Sequence, residues 1–327
     1  MRLRILILTL AFLWGAGKAL AQEPVADYKA NGKAFIKVYT NYHSTWTNGE
    51  ANKVFEIQRA YFGYEYHLSP YISGKLTLDV GDPNFGELEM TAYLKHAYVQ
   101  YKKDRLTAQI GMIGLYQYKL QEDLWGGRYL YKSFMDEHKF GPSADLGAFV
   151  AYRIHDMLSV DLTVANGEGY KKLESDTALK YSVGATLMPL EGLDIRASYD
   201  RMGKDSAQQT LAFYVGYHTG KLAIGAEYNQ QLNYKRVSGH DRSGVSLYGS
   251  YLMKKIRLFG RYDMLTSPTL GSDTEPWNNA SDGQLVIAGV EFRPVKGLIV
   301  TPNYQAWIPA DKSGVANSIY LSLEIKF

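Results

Sequence analysis

Charged side chains recur at every second position of short segments that are otherwise apolar. In the last such segment, Ile319, Leu321 and Leu323 share one parity, whereas Ser322 and Glu324 share the other. Successive side chains of a strand point to opposite faces, so this spacing predicts a strand with one apolar and one ionised face. Rows of ionised groups attract ions and hold water, which is the chemistry that the spacing allows.

The sequence contains no complete catalytic or metal-binding motif of the kinds considered next. The segment Gly244-Val245-Ser246-Leu247-Tyr248-Gly249 misses the nucleophile elbow G-x-S-x-G by one position and lies within a predicted strand. The seven histidines show neither H-E-x-x-H nor paired ligand spacing, and the chain has no cysteine. Gly167-Glu168-Gly169 is typical of a turn, and the acidic segment 271–275 with Asp282 is typical of a solvated loop. We therefore expect no catalytic residue, no metal site and no cofactor.

The first 21 residues have the composition of a secretory signal peptide. Arg2 and Arg4 precede an apolar stretch over residues 5–14, and Ala19-Leu20-Ala21 is an A-x-A cleavage site. The chain carries 36 Lys and Arg against 33 Asp and Glu, and loss of Arg2, Arg4 and Lys18 leaves 33 of each sign. A formal charge of zero argues against a nucleic-acid partner.

About sixteen alternating segments follow the signal peptide, and the connections between them are short and long in turn. The short ones contain turn residues and lie at 68–70, 102–104, 155–156, 189–192, 219–220, 254–255 and 294–297. The long ones lie near 44–53, 81–89, 116–140, 167–177, 201–209, 233–242, 266–283 and 310–316. This pattern is typical of a barrel with both ends in the periplasm. The sequence predicts an all-β fold, a transmembrane antiparallel β-barrel of 16 strands over residues 33–327, after a periplasmic lead over residues 22–32.

Such a barrel must close, because each unpaired backbone group in hydrocarbon costs several kcal/mol. Sixteen strands enclose a lumen that inward side chains cannot fill, so we expect an aqueous channel. The predicted pore-lining residues share the inward parity and carry both signs: Lys37, Arg59, Glu65, Lys75, Asp79, Arg153, Asp161, Lys180, Asp194, Arg196, Glu227, Arg257, Arg261, Asp263 and Glu324. Their balance predicts a weak preference between cations and anions.

Phe327 ends a strand with apolar residues at every second position. This ending resembles the C-terminal signature by which the outer-membrane assembly machinery recognises its substrates; an ordinary strand that ends in Phe is the alternative. We expect Sec export and insertion into the cell outer membrane of a Gram-negative-type bacterium, where outer-membrane lipid surrounds the barrel.

Two stretches carry a family resemblance. Residues 55–79, from Phe55-Glu56-Ile57-Gln58-Arg59 to Lys75-Leu76-Thr77-Leu78-Asp79, resemble strands of the phosphate-selective porin O/P family, and so do residues 94–111, from Leu94-Lys95-His96-Ala97-Tyr98 to Gln109-Ile110-Gly111. The resemblance implies a sixteen-stranded channel, commonly a homotrimer, whose third long loop folds into the lumen. Here that loop is residues 116–140, called the third loop below. Its candidate constriction residues are Lys119, Glu122, Asp123, Trp125, Arg128 and Lys132.

The sequence also departs from that family. His96 stands where the family usually has Asp, and the inward charges are balanced rather than basic. The predicted function is passive diffusion of small hydrophilic solutes and ions. The alternatives are a channel selective for an anion such as phosphate or for an oligosaccharide, a non-conducting barrel for adhesion, and a lipid-modifying enzyme. For the third loop, an external solvated lid is the alternative to a constriction.

Overall fold

The computed structural model describes residues 28–82, 90–268 and 276–327. Its strands are β1 (Asn31–Thr47), β2 (Glu50–His67), β3 (Ile72–Gly81), β4 (Thr91–Lys103), β5 (Leu106–Gly114), β6 (Ala144–His155), β7 (Leu158–Ala165), β8 (Lys180–Leu190), β9 (Leu193–Met202), β10 (Gln208–His218), β11 (Leu222–Leu232), β12 (Arg242–Met253), β13 (Ile256–Thr266), β14 (Gly283–Val295), β15 (Leu298–Pro309) and β16 (Ala316–Lys326). Consecutive strands pair antiparallel, and β1 pairs with β16. The predicted fold class, an antiparallel barrel of sixteen strands, is confirmed.

The N-terminal predictions fall almost wholly outside this range. The signal peptide over residues 1–21 and most of the lead over residues 22–32 lie outside the described residues. The first strand begins at Asn31, two residues before the predicted start of the barrel.

The two faces of the strands separate as the alternation predicts. On the outer face, Leu247 and Ile224 are 52% and 51% exposed. On the inner face, Ser246 and Glu227 are 0% and 4% exposed. An apolar belt of this extent is stable only against apolar surroundings. Outward tyrosines flank it, with Tyr66 and Tyr217 near the short turns and Tyr181 near the long loops, which suits rings that are apolar with one polar end.

The connection between β1 and β2 is shorter than we expected. A long connection was predicted near 44–53, but β1 continues to Thr47 and β2 begins at Glu50, so only two residues turn the chain. These are Asn48 and Gly49, with φ of 52° and 88°. Such angles define the tight turn that Asn-Gly favours in hairpins. The prediction was wrong because both parities of this segment carry polar residues, so no apolar face marks the strands there.

The helices of the described part are short. The third loop contains a 3₁₀ turn (Tyr116–Tyr118), α1 (Lys119–Trp125) and α2 (Phe134–Glu137), and two further 3₁₀ turns lie at Tyr234–Arg236 and Asn279–Ser281. Among the described residues, no helix has the length and apolar character needed to cross a membrane.

The closing pair of strands continues to the last residue. The Phe327 amide donates to the Ile36 carbonyl at 3.0 Å, and the Ile36 amide donates back at 3.4 Å. Phe327 thereby extends the ladder between β1 and β16 that joins the two ends of the sheet, while its ring is exposed on the outside.

Candidate functional site

The third loop crosses the inside of the barrel from β5 and packs against the opposite wall. The Trp125 ring, at the end of α1, lies 5.9 Å from the rings of Tyr248 on β12 and Phe259 on β13. The Tyr129 hydroxyl donates to Glu291 on β14 at 3.0 Å and lies 2.6 Å from the Thr301 hydroxyl on β15. The loop therefore covers inward side chains of β12 to β15.

Side chains of the wall bind this loop mainly through its backbone carbonyls. The donors lie on three consecutive strands, β11, β12 and β13. The bonds are Gln231 Nε2 to Phe140 O (2.9 Å), Arg242 Nη2 to Lys139 O (2.6 Å), Tyr248 Oη to Gln121 O (3.2 Å), Arg257 Nη1 to Trp125 O (3.3 Å) and Arg261 Nη1 to Lys132 O (2.6 Å). The loop is thus fastened along its whole length.

Two of the wall cations that hold the loop, Arg257 and Arg261, are themselves paired with carboxylates. Arg261 contacts the Asp263 carboxylate at 2.8 and 2.6 Å. Arg257 contacts Glu291 at 2.9 and 2.5 Å. These side chains are buried, and burial of a charge is tolerable only when it is paired and hydrogen-bonded. Several predicted pore-lining charges are therefore neutralised beneath the third loop.

A second group of buried pairs lies on the neighbouring strands. Arg196 Nη1 and Nη2 contact the Asp161 carboxylate at 2.6 and 3.0 Å, and the Arg196 guanidinium lies 4.9 Å from the Tyr116 ring centroid. Lys180 Nζ lies 3.2 Å from Asp200. These contacts hold the start of the third loop against β7 to β9.

The charged candidates of the third loop pair mostly within the loop itself. Lys119 contacts Asp123 at 2.6 Å, Arg128 contacts Glu122 at 3.6 Å, and Lys132 contacts Glu137 at 3.3 Å. Arg128 also lies 3.3 Å from Asp136. Trp125, the remaining candidate, is 2% exposed. The candidate residues thus divide into an apolar anchor and charges that face the remaining lumen in pairs.

The wall across from the third loop carries a cluster around Asp79 on β3. This carboxylate is fully buried and lies 3.9 Å from both Arg59 on β2 and Lys95 on β4. A β-bulge in β4 leaves Lys95 without a partner residue on β3, so Lys95 and the next residue, His96, do not alternate as a regular strand would. Strict parity therefore could not reveal this cation.

Residues of another loop complete this cluster. The loop of residues 166–179 between β7 and β8, called the fourth loop below, directs the Tyr170 hydroxyl to Asp79 at 2.5 Å. The adjacent Lys171 Nζ lies 5.0 Å from the Tyr93 ring centroid. Burial, followed by the nearby Arg59 guanidinium, lowers the pKa of Lys171 to about 8. The Asp79 cluster, defined as Arg59, Asp79, Lys95, Tyr170 and Lys171, contains more cations than carboxylates.

The remaining predicted pore-lining residues lie apart from both groups. Lys75 pairs with Glu65 at 2.6 Å, and Glu324 pairs with Lys326 near the turn rim. Lys37 Nζ lies 6.0 Å from the Tyr39 ring centroid. Arg153 is near the turn rim at the end of β6 and is exposed. The inward arginines Arg59, Arg153, Arg257 and Arg261 therefore lie in different surroundings and do not form a single cluster.

Three carboxylates of the fourth loop lie close together. Oxygens of Glu168, Glu174 and Asp176 lie within 4.8 Å of one another. Asp176 is already occupied, because it pairs with Arg236 and accepts from the Ala178 amide at 2.6 Å. The pair with Arg236 links the fourth loop to the connection between β11 and β12.

Comparison with known proteins finds structures with a similar fold. No protein-family profile and no curated protein sequence matches this chain. It is similar to OmpF of Salmonella typhi, solved with daunomycin, with a TM-score of 0.66 and 13% identity over 90% of this chain and 97% of that one. The chain has the porin fold.

Two further porin-fold structures agree. The outer membrane channel DcaP of Acinetobacter baumannii has a TM-score of 0.65 and 12% identity over 92% of this chain and 99% of that one. An anion-selective porin from Comamonas acidovorans has a TM-score of 0.64 and 10% identity over 91% and 100%. At these identities the likeness concerns the fold.

Proposed function

We propose that this chain is an outer-membrane porin that lets small hydrophilic solutes and ions diffuse across the membrane. The observation that carries this proposal is a closed barrel with an exposed apolar belt outside and charged side chains inside. The belt requires hydrocarbon, and the inward charges require water or partners. The third loop reaches β1 where the Tyr129 ring lies 6.3 Å from the Tyr39 ring, and we place the solute path along the inner face of β2 to β4, with the third loop as its constriction.

Planar-bilayer recording of the refolded protein tests this function. We expect stepwise conductance increments that scale with salt concentration, because a water-filled lumen conducts ions. A correctly folded barrel that inserts without conducting would contradict the proposal and favour adhesion or lipid modification. On the present proposal the chain is a channel and not an enzyme.

A second candidate is an anion-preferring channel, and the Asp79 cluster favours it. Arg59, Lys95 and Lys171 gather around the buried Asp79 carboxylate, and cations concentrated at a narrow section favour the passage of anions. A salt gradient separates the candidates, since a balanced lumen gives a reversal potential near zero. The finer assignment to the phosphate-selective porin O/P family is tested by the same recording, because it requires phosphate to block the chloride current.

The assembly of the molecule is part of the same proposal. We infer signal-peptide removal after Ala21, Sec export, recognition of Phe327 by the outer-membrane assembly machinery, and association into a homotrimer. Chemical crosslinking of the membrane-embedded protein would yield a three-subunit band, whereas a monomer band alone would contradict the trimer.

A further inference from the structure

The backbone of the fourth loop is held so that two of its side chains enter the lumen. The Asp145 carboxylate accepts from the Gly167 amide at 2.5 Å, and the Tyr170 amide donates to the Ala144 carbonyl at 3.0 Å. Gly167 and Gly169 adopt φ of 109° and 86°, which other residues rarely adopt. The root of the loop is therefore fixed to β6, and the Tyr170-Lys171 dipeptide follows from a defined turn.

Tyr170 changes what Asp79 presents to the lumen. Its hydroxyl donates to the Asp79 carboxylate at 2.5 Å, and its ring lies 5.6 Å from Lys95 Nζ. The same ammonium lies 4.9 Å from the Tyr61 ring centroid. Asp79 is fully buried, so its negative charge is covered by these partners. The half-buried Lys171 lies over the ring of Tyr93, which is the cross-strand partner of Asp79 and shares its inward face.

Charged groups from four described elements lie near Lys171. They are Arg59 from β2, Asp79 from β3, Lys95 from β4 and Lys132 from the third loop; the first, third and fourth oppose its charge and Asp79 favours it. Tyr93 and Tyr170 supply the adjacent rings, and Asp82, immediately after β3, accepts from Arg59 through its carbonyl. Burial and these like charges lower the pKa of Lys171 to about 8, so its ammonium titrates just above neutral pH.

We propose that Lys171 is a specificity-determining residue of the pore, and that loss of its proton in mildly alkaline solution weakens the preference of the lumen for anions. This inference rests on the proposed pore function and on its anion-preferring form. The sign follows from the chemistry. Below the pKa of Lys171 the side chain is a cation and attracts anions; above it the side chain is neutral and the attraction is lost.

The test is the reversal potential of the full-length protein in a potassium chloride gradient, measured at about pH 6 and about pH 9.5, on either side of the Lys171 titration. Three variants are compared with wild type: Lys171→Gln, Lys171→Arg, and Lys172→Gln as the matched control on the exposed neighbour. Heat-modifiable migration on gels establishes that each variant is a folded barrel.

We expect the chloride-to-potassium permeability ratio of wild type to fall by about sevenfold between the two pH values, because one unit charge at a distance of about 7 Å in water favours chloride by about threefold and disfavours potassium by about threefold. Lys171→Gln should show the low ratio at both pH values. Lys171→Arg should keep the high ratio at both, and Lys172→Gln should behave as wild type.

The outcomes that overturn the inference are distinct from failure of the pore itself. An anion-preferring wild type whose ratio and pH response survive in Lys171→Gln overturns the role of Lys171 alone. A wild-type reversal potential near zero at about pH 6 overturns the anion-preferring candidate together with this inference. A folded barrel without current overturns the proposed function, and the inference with it.

Discussion

The Arg261 side chain holds the third loop in place and does not face the open lumen as a free cation. Its guanidinium donates to the Lys132 carbonyl, contacts both oxygens of Asp263, and lies 5.1 Å from the Trp125 ring centroid. The pair could be foreseen from the sequence, because residues two apart on a strand share a face. Arg196 and Asp161 could not be paired in this way, because β8 lies between their strands and only the closed barrel brings them together.

Replacement of Arg261 should therefore loosen the loop and destabilise the barrel. We expect Arg261→Met to lower the free energy of unfolding by about 3 to 5 kcal/mol, because it leaves Asp263 buried without its cation. Equilibrium unfolding in detergent with urea measures this change. The matched control is Arg261→Met with Asp263→Leu, which removes both charges and should recover most of the loss; equal destabilisation in both variants would contradict the pairing argument.

At the level of an element, the sequence pattern predicts the strands but not the wall on which the third loop packs. Alternation predicts the strands and the parity of Tyr248, Phe259 and Ile287, but these apolar residues sit on the face that otherwise carries charges. Such residues signal a partner inside the lumen, and the partner is the third loop through Trp125 and Tyr129. Which of two walls the loop would meet depends on tertiary packing and could not be obtained from spacing. The position of the Tyr170-Lys171 dipeptide could not be predicted for a similar reason. Glycines indicate that the chain turns, but not the direction in which the following residues point.

Shortening the third loop should widen the pore. We expect replacement of residues 119–139 by a short Gly-Ser linker to raise single-channel conductance, because the loop occupies part of the lumen cross-section. Shortening residues 310–315, which join β15 and β16, is the control and should leave conductance unchanged. If the two variants conduct alike, the third loop is not the constriction.

The barrel as a whole depends on the meeting of its first and last strands. Ten residue pairs join β1 to β16, and the two bonds between Ile36 and Phe327 extend this ladder. The strand count and closure could be predicted, because hydrocarbon tolerates no open sheet edge. The length of the first hairpin could not, because its outer half carries no apolar face.

Removal of Phe327 should impair assembly more than the loss of one side chain suggests. We expect the truncated chain to give a clearly lower yield of heat-modifiable barrel in the outer membrane, because the closing ladder loses its last pair and the proposed recognition signal is gone. Phe292→Ala, which trims another lipid-facing ring near the same rim, is the control. Equal yields for wild type and the truncated chain would contradict the assembly role.

The hydrogen bonds between the wall and the third loop also limit which residues of the loop can change during evolution. Five wall side chains bind carbonyl oxygens of the loop, and a carbonyl is the same whichever amino acid carries it. Residues such as Gln121, Lys132 and Lys139 can therefore be exchanged without removing a single one of these bonds. The side chains that the third loop presents to a solute can therefore change during evolution while the position of the loop in the lumen is kept.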